Sequence, residues 1–250
     1  SAPLQLITAG RKGSSPFIPT FNKLHRYMPQ HKLPDKNFNW TPQLAYVVGL
    51  LTTDGNLSKD GRHITMRSSD IQLLNTFKKC LELKTKIAQT KNDSWAKRPC
   101  YRIQFSNVQL YRWLLKIGLF PNKTYTIKSL NIPDLYFRDF LRGHLDGDGS
   151  ITTYKDYYNT FKNPEYIYTR LWIIFLSASE THIEWIRDTI YRLTSINSHI
   201  YQSKPQAPHK VSMWRLKYAK NNSIKLLRWI YYKNNLPCLK RKKTRSKNQS

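Results

Sequence analysis

The sequence predicts an α+β protein made of two similar halves, and three observations lead to this prediction. A short apolar motif that ends in Asp-Gly occurs twice, at 46–56 and 140–150, with 94 positions between equivalent residues. Each copy is followed by segments in which polar and apolar residues alternate as in strands. These segments lead into stretches with the apolar spacing of amphipathic helices. Each half therefore predicts the order helix, strands, helix, strands, helix.

The composition is that of a folded and strongly basic protein. Hydrophobic residues make up 40% of the 250 residues and aromatic residues 13%, which disfavours disorder. The 42 Lys and Arg residues outnumber the 15 Asp and Glu residues, so the net charge of +27 predicts a polyanionic partner. The longest apolar run, 45–51, is too short to cross a bilayer, and the N-terminal residues lack the apolar core of a signal peptide. Nucleic acid is the expected partner, with RNA and DNA both open on composition alone.

The cysteines and the residue usage bear on the compartment. Cys80, Cys100 and Cys238 lack the spacing of a zinc site or a disulfide framework, so free thiols in a reducing compartment are expected. The abundance of Lys, Asn, Ile and Tyr is typical of an AT-rich coding genome. An organelle, mitochondrion or chloroplast, is the expected location, with the nucleus as the alternative.

The first half is predicted at 41–133, after an N-terminal extension at 1–40. The extension carries proline at positions 3, 16, 19, 29 and 34 and has no sustained period. Thr41 is expected to cap a helix whose first residue is Pro42 and whose end lies near Gly55. A strand is predicted at 101–106, and an amphipathic helix follows it up to 119.

The second half is predicted at 134–250, including a basic C-terminal tail. The segment 173–193 resembles 64–83, and 214–236 resembles 101–119. The strand at 170–176 is apolar on both faces, so its pattern does not indicate which face meets a ligand. The tail KRKKTRSK at 240–247 resembles a nuclear localisation signal, and we interpret it as a phosphate contact or as disordered.

Polar residues alternate with apolar ones along the predicted strands. Side chains on a strand point to opposite faces in turn. The residues next to Ile64, Ile103 and Leu216 along their strands are therefore expected on the face opposite the core. Such a face suits phosphates and base edges, whereas the structural alternative is an ordinary solvated sheet. The predicted contact residues are His63, Thr65, Arg67, Arg102, Gln104, Arg215 and Lys217.

The repeated motif predicts a metal site. Superposing its copies places Gly49 on Gly143 and Asp54 on Asp148. A glycine lets a second helix approach closely, so two motif helices packed side by side would bring the two aspartates together at their C-terminal ends. Negative charge is unfavourable there unless a cation compensates it, and Mg²⁺ is the ion that bridges carboxylates and phosphates. A pair of such ions stabilises the attacking and leaving oxygens of a phosphodiester.

Two other interpretations of the motif are possible. A calcium loop beginning at Asp146 would need glycine and glutamate where Ile151 and Tyr157 stand, so it is rejected. A single Asp-Gly pair is most often a turn, and only its repetition favours metal binding. His144, inside the second copy, is interpreted as a packing residue.

The segments GLLTTDG and GHLDGDG resemble the two motif copies of the LAGLIDADG homing endonucleases in their single-chain form. The resemblance covers roughly residues 41–245. It implies two pseudo-symmetric αββαββα halves, with the motif helices at the interface and saddle-shaped antiparallel sheets whose polar faces lie in the DNA major groove. It also implies metal-dependent cleavage of a long DNA site that leaves staggered ends.

The resemblance also implies roles for residues. Asp54 and Asp148 match the metal-binding acids, and the carbonyls of Thr53 and Gly147 would add ligands, with Mg²⁺ as the expected ion and Mn²⁺ or Ca²⁺ as other occupants. The family places a lysine near each scissile phosphate, and Lys123 and Lys240 are the predicted ones. Lys242 competes with Lys240 for this role. Their charge would stabilise the reacting phosphate.

The expected function is a monomeric endonuclease that acts on double-stranded DNA. The main alternative is an intron maturase, an RNA-binding splicing factor on the same fold. A non-cleaving DNA-binding regulator and a generic RNA chaperone are further alternatives. The presence of both aspartates favours cleavage, since a protein that only binds nucleic acid does not need them.

Overall fold

A computed structural model of the chain describes residues 38–90, 99–205 and 212–247, so most of the predicted extension lies outside the described residues. In the described part of the first half there are three helices and four strands. In chain order they are α1 Pro42–Thr53, β1 Gly55–Leu57, β2 His63–Ser68, α2 Ile71–Cys80, β3 Ala88–Gln89, β4 Tyr101–Ser106 and α3 Val108–Lys116. A 3-10 turn at Lys123–Tyr125 follows α3. Within the described residues, no helix combines the length and apolar composition that a membrane span requires.

The second half repeats this order. Its elements are α4 Asp134–Gly147, β5 Ser150–Asp156, β6 Tyr168–Ser177, α5 Glu180–Thr194, β7 His199–Ser203, β8 Met213–Tyr218 and α6 Lys220–Ile230. Both antiparallel sheets have the same strand order, β1-β2-β4-β3 and β5-β6-β8-β7. The predicted α+β class and the helix, strands, helix, strands, helix order of each half are therefore confirmed.

Local sequence accounts for where the helices begin. The Thr41 side chain accepts a hydrogen bond from the Leu44 N–H at 3.1 Å, and Pro42 occupies the first turn, as predicted. Asp70, Asn107 and Ser179 cap α2, α3 and α5 in the same way. These caps supply acceptors to N–H groups that have no partner inside the helix.

The alternation of the strands determines which face of each sheet is buried. On β2 and β4, Ile64, Met66 and Ile103 are fully buried, whereas Arg67 and Arg102 are exposed on the opposite face. On β6 the structure shows which of its two apolar faces packs on the core. Leu171, Ile173 and Phe175 are fully buried, and Trp172, Ile174 and Leu176 are half-buried on the other face.

Helices α1 and α4 pack against each other along their glycines. A Cβ atom on Gly49 would lie 2.1 Å from the Phe140 carbonyl oxygen, and one on Gly143 would lie 2.1 Å from the Tyr46 carbonyl oxygen. No larger side chain fits at either position without moving backbone. The two motif helices therefore lie in close backbone contact along these glycines.

The C-terminal segment connects the second half back to the first. It forms a helix, α7 Lys240–Lys247, so of the two interpretations of this tail disorder is wrong and phosphate contact stays a prediction. The Gln72 side chain on α2 donates to the Cys238 carbonyl at 3.0 Å and accepts from the Lys240 N–H at 2.9 Å. From α4, the buried Arg142 donates to the Pro237 carbonyl at 2.8 Å. The segment is thus fixed against both halves.

Candidate active site

Asp54 and Asp148 end α1 and α4 with nearly the same backbone geometry. Their φ and ψ angles are −90° and −1° for Asp54, and −88° and −10° for Asp148. The two helix ends lie against one another. A Cβ atom on Gly147 would lie 2.0 Å from the Thr53 hydroxyl oxygen and 3.1 Å from an Asp54 carboxylate oxygen. Glycine at 147 therefore permits this contact, and the aspartates converge as the repeat predicted.

The electrostatics of the two carboxyl groups favour a bound cation. Burial raises the pKa of Asp54 to about 7, and the nearby Asp148 carboxylate adds to the increase. Asp148 is the more exposed of the two, and partial burial also raises its pKa. Lys242 and Lys123 oppose both shifts. A cation between two such groups would stabilise their ionised form, because its positive charge attracts both carboxylates.

Two buried lysines flank these carboxyl groups. The Lys123 ammonium donates to the Gly55 carbonyl, and the Lys242 ammonium donates to the Gly149 carbonyl at 2.6 Å. Gly55 and Gly149 are equivalent positions of the repeat, so the two ammonium groups occupy equivalent places in the two halves. Lys123 reaches its place from the 3-10 turn and Lys242 from α7. Burial lowers the pKa of each lysine to about 8, and the neighbouring aspartates partly oppose this.

The structure changes the choice of lysine in the second half. Lys240 is exposed, and its backbone N–H is bonded to Gln72. Its side chain therefore lies outside the active-site cluster, which consists of Asp54, Asp148, Lys123 and Lys242. Lys242 is 4% exposed, and its ammonium also contacts the Leu145 and Asp146 carbonyls at 2.6 and 2.9 Å. Because α7 begins at Lys240, the residue two positions later lies on the opposite side of the helix and faces inward. The candidate in the second half is therefore Lys242 and not Lys240, the residue predicted from the sequence.

The residues of the cluster fit a hard divalent cation, although they do not form a complete ligand set. Asp54 and Asp148 supply carboxylate oxygens, which Mg²⁺ prefers. Among the residues that the structure describes, no group of three or more His, Cys, Asp or Glu side chains could hold a metal. Backbone carbonyls, water or a substrate phosphate would have to complete the coordination. A metal ion would share the Gly147 carbonyl oxygen with Lys242, whose ammonium donates to it at 3.3 Å.

Residues 41–118, from α1 to the end of α3, match the family model of the LAGLIDADG-like domain. The meganuclease I-SmaMI, bound to uncleaveable DNA, superposes with a TM-score of 0.55 at 11% identity, covering 85% of this chain and 88% of its own. The chain has the LAGLIDADG homing endonuclease fold.

Two further solved structures share this fold. The homing endonuclease I-WcaI, bound to its DNA recognition sequence, gives a TM-score of 0.51 at 15% identity and covers 83% of this chain and 88% of its own. The LAGLIDADG homing endonuclease I-LtrWI, bound to target DNA, gives 0.50 at 12% identity, with coverages of 80% and 86%. No curated protein matches the sequence.

In this LAGLIDADG fold, Asp146 has a structural role, unlike Asp148. Its buried carboxylate accepts from the Tyr46 hydroxyl at 2.8 Å and from the Leu239 N–H at 2.7 Å. Its equivalent in the first motif helix is Thr52, whose hydroxyl donates to the Val48 carbonyl at 2.8 Å. Asp146 therefore ties the two motif helices and the C-terminal segment together, and the sequence pattern did not reveal this contact.

The polar face of the first sheet holds most of the predicted DNA contacts. Arg67 lies directly opposite Arg102, and Thr65 directly opposite Gln104. Arg67, Arg102 and Gln104 are exposed, whereas Thr65 is only 7% exposed. His63 is half-buried, and its ring and backbone are both bonded to Asp60. Three of the five residues predicted on this sheet are thus freely accessible.

The second sheet presents a more aromatic face. The Lys217 ammonium lies 3.6 Å from the centre of the Trp172 ring, and its strand neighbours are Ile174 and His199. Arg215 is half-buried, and its Nε atom has no hydrogen-bond partner. Both predicted basic residues therefore lie on the face away from the core, in contact with apolar neighbours that the sequence pattern did not assign.

Proposed function

We propose that this protein is a site-specific DNA endonuclease that makes a staggered double-strand break in a long target by metal-dependent phosphodiester hydrolysis. The observation that carries the proposal is the convergence of Asp54 and Asp148 from two equivalent helices, each with a buried lysine beside it. Two equivalent sets of groups correspond to the two strands of a duplex. Because one chain supplies both halves, a monomer suffices.

The residues would divide the chemistry between them. Asp54 and Asp148 would hold Mg²⁺, which supplies Lewis-acid polarisation of the phosphate and a more acidic water when bound. Lys123 and Lys242, with pKa values lowered to about 8, remain mostly protonated at neutral pH. Their ammonium groups would stabilise the negative charge that develops on the phosphate oxygens.

Duplex DNA is the proposed substrate because of the charge and the exposed polar sheet face. The net charge of +27 favours a polyanion, and Arg67 and Arg102 form a cationic pair on the first sheet. The similar proteins I-SmaMI, I-WcaI and I-LtrWI were all solved with DNA, which supports the same partner here.

An RNA-binding splicing factor is the second candidate function. One feature favours it: the loop between β5 and β6 exposes aromatic rings to solvent, among them Tyr157, Tyr158 and Phe161 at 53%, 79% and 74%. Aromatic rings of this kind stack on unpaired bases, which single-stranded RNA offers and duplex DNA does not. The two site aspartates have no role in such binding.

Incubation with a randomised duplex library in Mg²⁺ tests the endonuclease proposal. We expect the wild type to cut a subset of sequences, and Asp54→Asn and Asp148→Asn each to lose cutting while they still bind the selected duplex in Ca²⁺. Lys242→Met should slow cutting by about 10²-fold or more. Lys240→Met, its matched control, should cut like the wild type. Cutting that survives either aspartate substitution would contradict the proposal.

A further inference from the structure

Two histidines lie buried beside the candidate active site. His144 is on α4, His182 is in the first turn of α5, and each is 1% exposed. Their rings are stacked, with centroids 5.6 Å apart and an angle of 27° between the planes. Neither ring takes part in the function proposed above.

The first half has leucines at the equivalent positions. Leu50 occupies the place of His144 in the repeat, 94 positions earlier. Leu73 is the third residue after the α2 cap Asp70, as His182 is the third after the α5 cap Ser179. Both leucines are buried in the core, at 0% and 2% exposure. Packing at these positions is therefore achieved by apolar side chains, and it does not explain the histidines.

The histidines leave ring nitrogens without partners. The His182 Nδ1 atom lies 2.7 Å from the Lys128 carbonyl oxygen, which can only accept, so Nδ1 donates. Burial lowers the pKa of His182 to about 4, so the ring is neutral at pH 7 and Nε2 is a free acceptor. The His182 Nε2 and His144 Nδ1 atoms are both buried without a hydrogen-bond partner. Such groups cost stability unless something outside the chain satisfies them.

A pocket of about 80 Å³ joins the two histidines to the active-site cluster. His144, His182, Asp148, Lys123 and Thr53 all line it. Its volume exceeds what a single water molecule needs, and its lining offers several polar partners. A water that donates one hydrogen to His182 Nε2 would keep its oxygen lone pairs free toward the rest of the pocket.

We propose that His144 and His182 hold ordered water beside Asp148 and thereby position the water that attacks one of the two DNA strands. This inference rests on the proposed endonuclease function. The histidines are positioning residues, since they bond to water and neither bind the phosphate nor form a covalent bond. Because Leu50 and Leu73 replace them in the first half, only one of the two reaction centres has this support. The two strands should therefore depend differently on the pair.

Strand-resolved cleavage of a selected duplex, with each strand carrying its own label, tests the inference. His144→Leu and His182→Leu introduce the residues of the first half. We expect each to slow cutting of one strand by at least about tenfold and to change the other strand by less than about twofold. His182→Gln, which keeps an acceptor near the Nε2 position, should recover most of the lost rate. Leu73→Met, a volume-conserving control in the first half, should leave both rates unchanged.

Thermal unfolding of the metal-free protein is the second readout. His144→Leu should unfold at the same temperature as the wild type or higher, because leucine leaves no unpaired nitrogen in the core. A marked loss of stability, equal slowing of both strands, or unchanged rates in both leucine variants would each overturn the inference. A wild type that cuts neither strand would instead refute the proposed function.

Discussion

At the residue scale, the carboxyl groups of Asp54 and Asp148 occupy an unfavourable place in the metal-free protein. Each lies at the C-terminal end of a helix, where the partial negative charge of the backbone repels it. Burial and the neighbouring carboxylate raise the pKa of Asp54 to about 7 from 3.8. Ionising this group therefore costs folding free energy, and a bound cation would remove that cost.

This cost predicts a pH dependence of stability. The pKa of Asp54 is higher in the folded protein than in the unfolded chain. Its contribution to the free energy of unfolding is therefore fully present below pH 4 and is lost as the pH rises to about 7. Asp54→Asn lacks this loss, so it should gain roughly 2 kcal/mol over the wild type between pH 4 and pH 8, once solvent screening is allowed for. Urea unfolding in EDTA across this range measures the difference. A difference that does not change with pH would contradict the account.

The sequence predicts the positions of some site residues but not of others. Asp54 and Asp148 could be predicted because the repeat superposes them and because their position at the end of a motif helix follows from the pattern. Lys242 could not be separated from Lys240, because which lysine points inward depends on where α7 begins and on its phase relative to α4. A run of four basic residues contains no information on that phase.

At the element scale, the contact between α1 and α4 positions the site. Gly49 and Gly143 bring the helix backbones close enough for Gly147 to touch Thr53 at their ends. Alanine in place of glycine inside a helix normally adds up to about 1 kcal/mol of stability. Here the added methyl group would overlap backbone atoms of the partner helix, so the sign should reverse.

Gly49→Ala is therefore expected to lower the free energy of unfolding by about 1–3 kcal/mol, as overpacked cores do. It should also reduce cutting, because the two aspartates would move apart. Asn75→Ala, at an exposed position in the middle of α2, is the control and should change stability by less than about 0.5 kcal/mol. Equal stability of Gly49→Ala and the wild type, measured by urea unfolding, would show that the helices do not need this close approach.

The elements themselves follow largely from local sequence. Helix caps at Thr41 and Asp70 and the alternation in 101–106 determine boundaries and faces, and these are visible without a structure. The burial of one face of β6 could not be predicted, because both of its faces are apolar and only its pairing with β5 and β8 distinguishes them. The helix α7 was missed because its polar residues show no amphipathic pattern, and contacts with the first half fix the segment that leads into it.

At the scale of the whole molecule, the charge distribution predicts salt-dependent DNA binding. Arg102 lies on the exposed face of the first sheet opposite Arg67, where it can reach phosphates. Arg102→Ala should weaken binding and reduce the slope of log affinity against log salt by about 1. Titration of a labelled duplex between low and physiological salt measures both quantities.

Arg192→Ala is the matched control for this prediction, since it removes the same charge from α5. Arg192 is paired with Asp134 by two hydrogen bonds of 2.6 Å and lies away from the sheet face. Its loss should leave affinity and salt slope close to those of the wild type. If both variants change the slope equally, net charge rather than the sheet face governs binding.

The architecture of the whole molecule was predictable because one observation, the offset of 94 residues, constrains both halves at once. The contacts that join the two halves could not be predicted. They depend on Asp146, Gln72 and the C-terminal segment, which lie far apart in the chain. Such long-range contacts leave no local pattern.

Calorimetric titration of Mg²⁺ into the metal-free protein at pH 8 measures whether both halves contribute to one cation site. We expect the wild type to bind Mg²⁺, and we expect Asp54→Asn and Asp148→Asn each to lose at least about tenfold in affinity, or roughly 1.4 kcal/mol. Binding that persists in both variants, or that depends on only one of the aspartates, would contradict a cation site shared by the two halves.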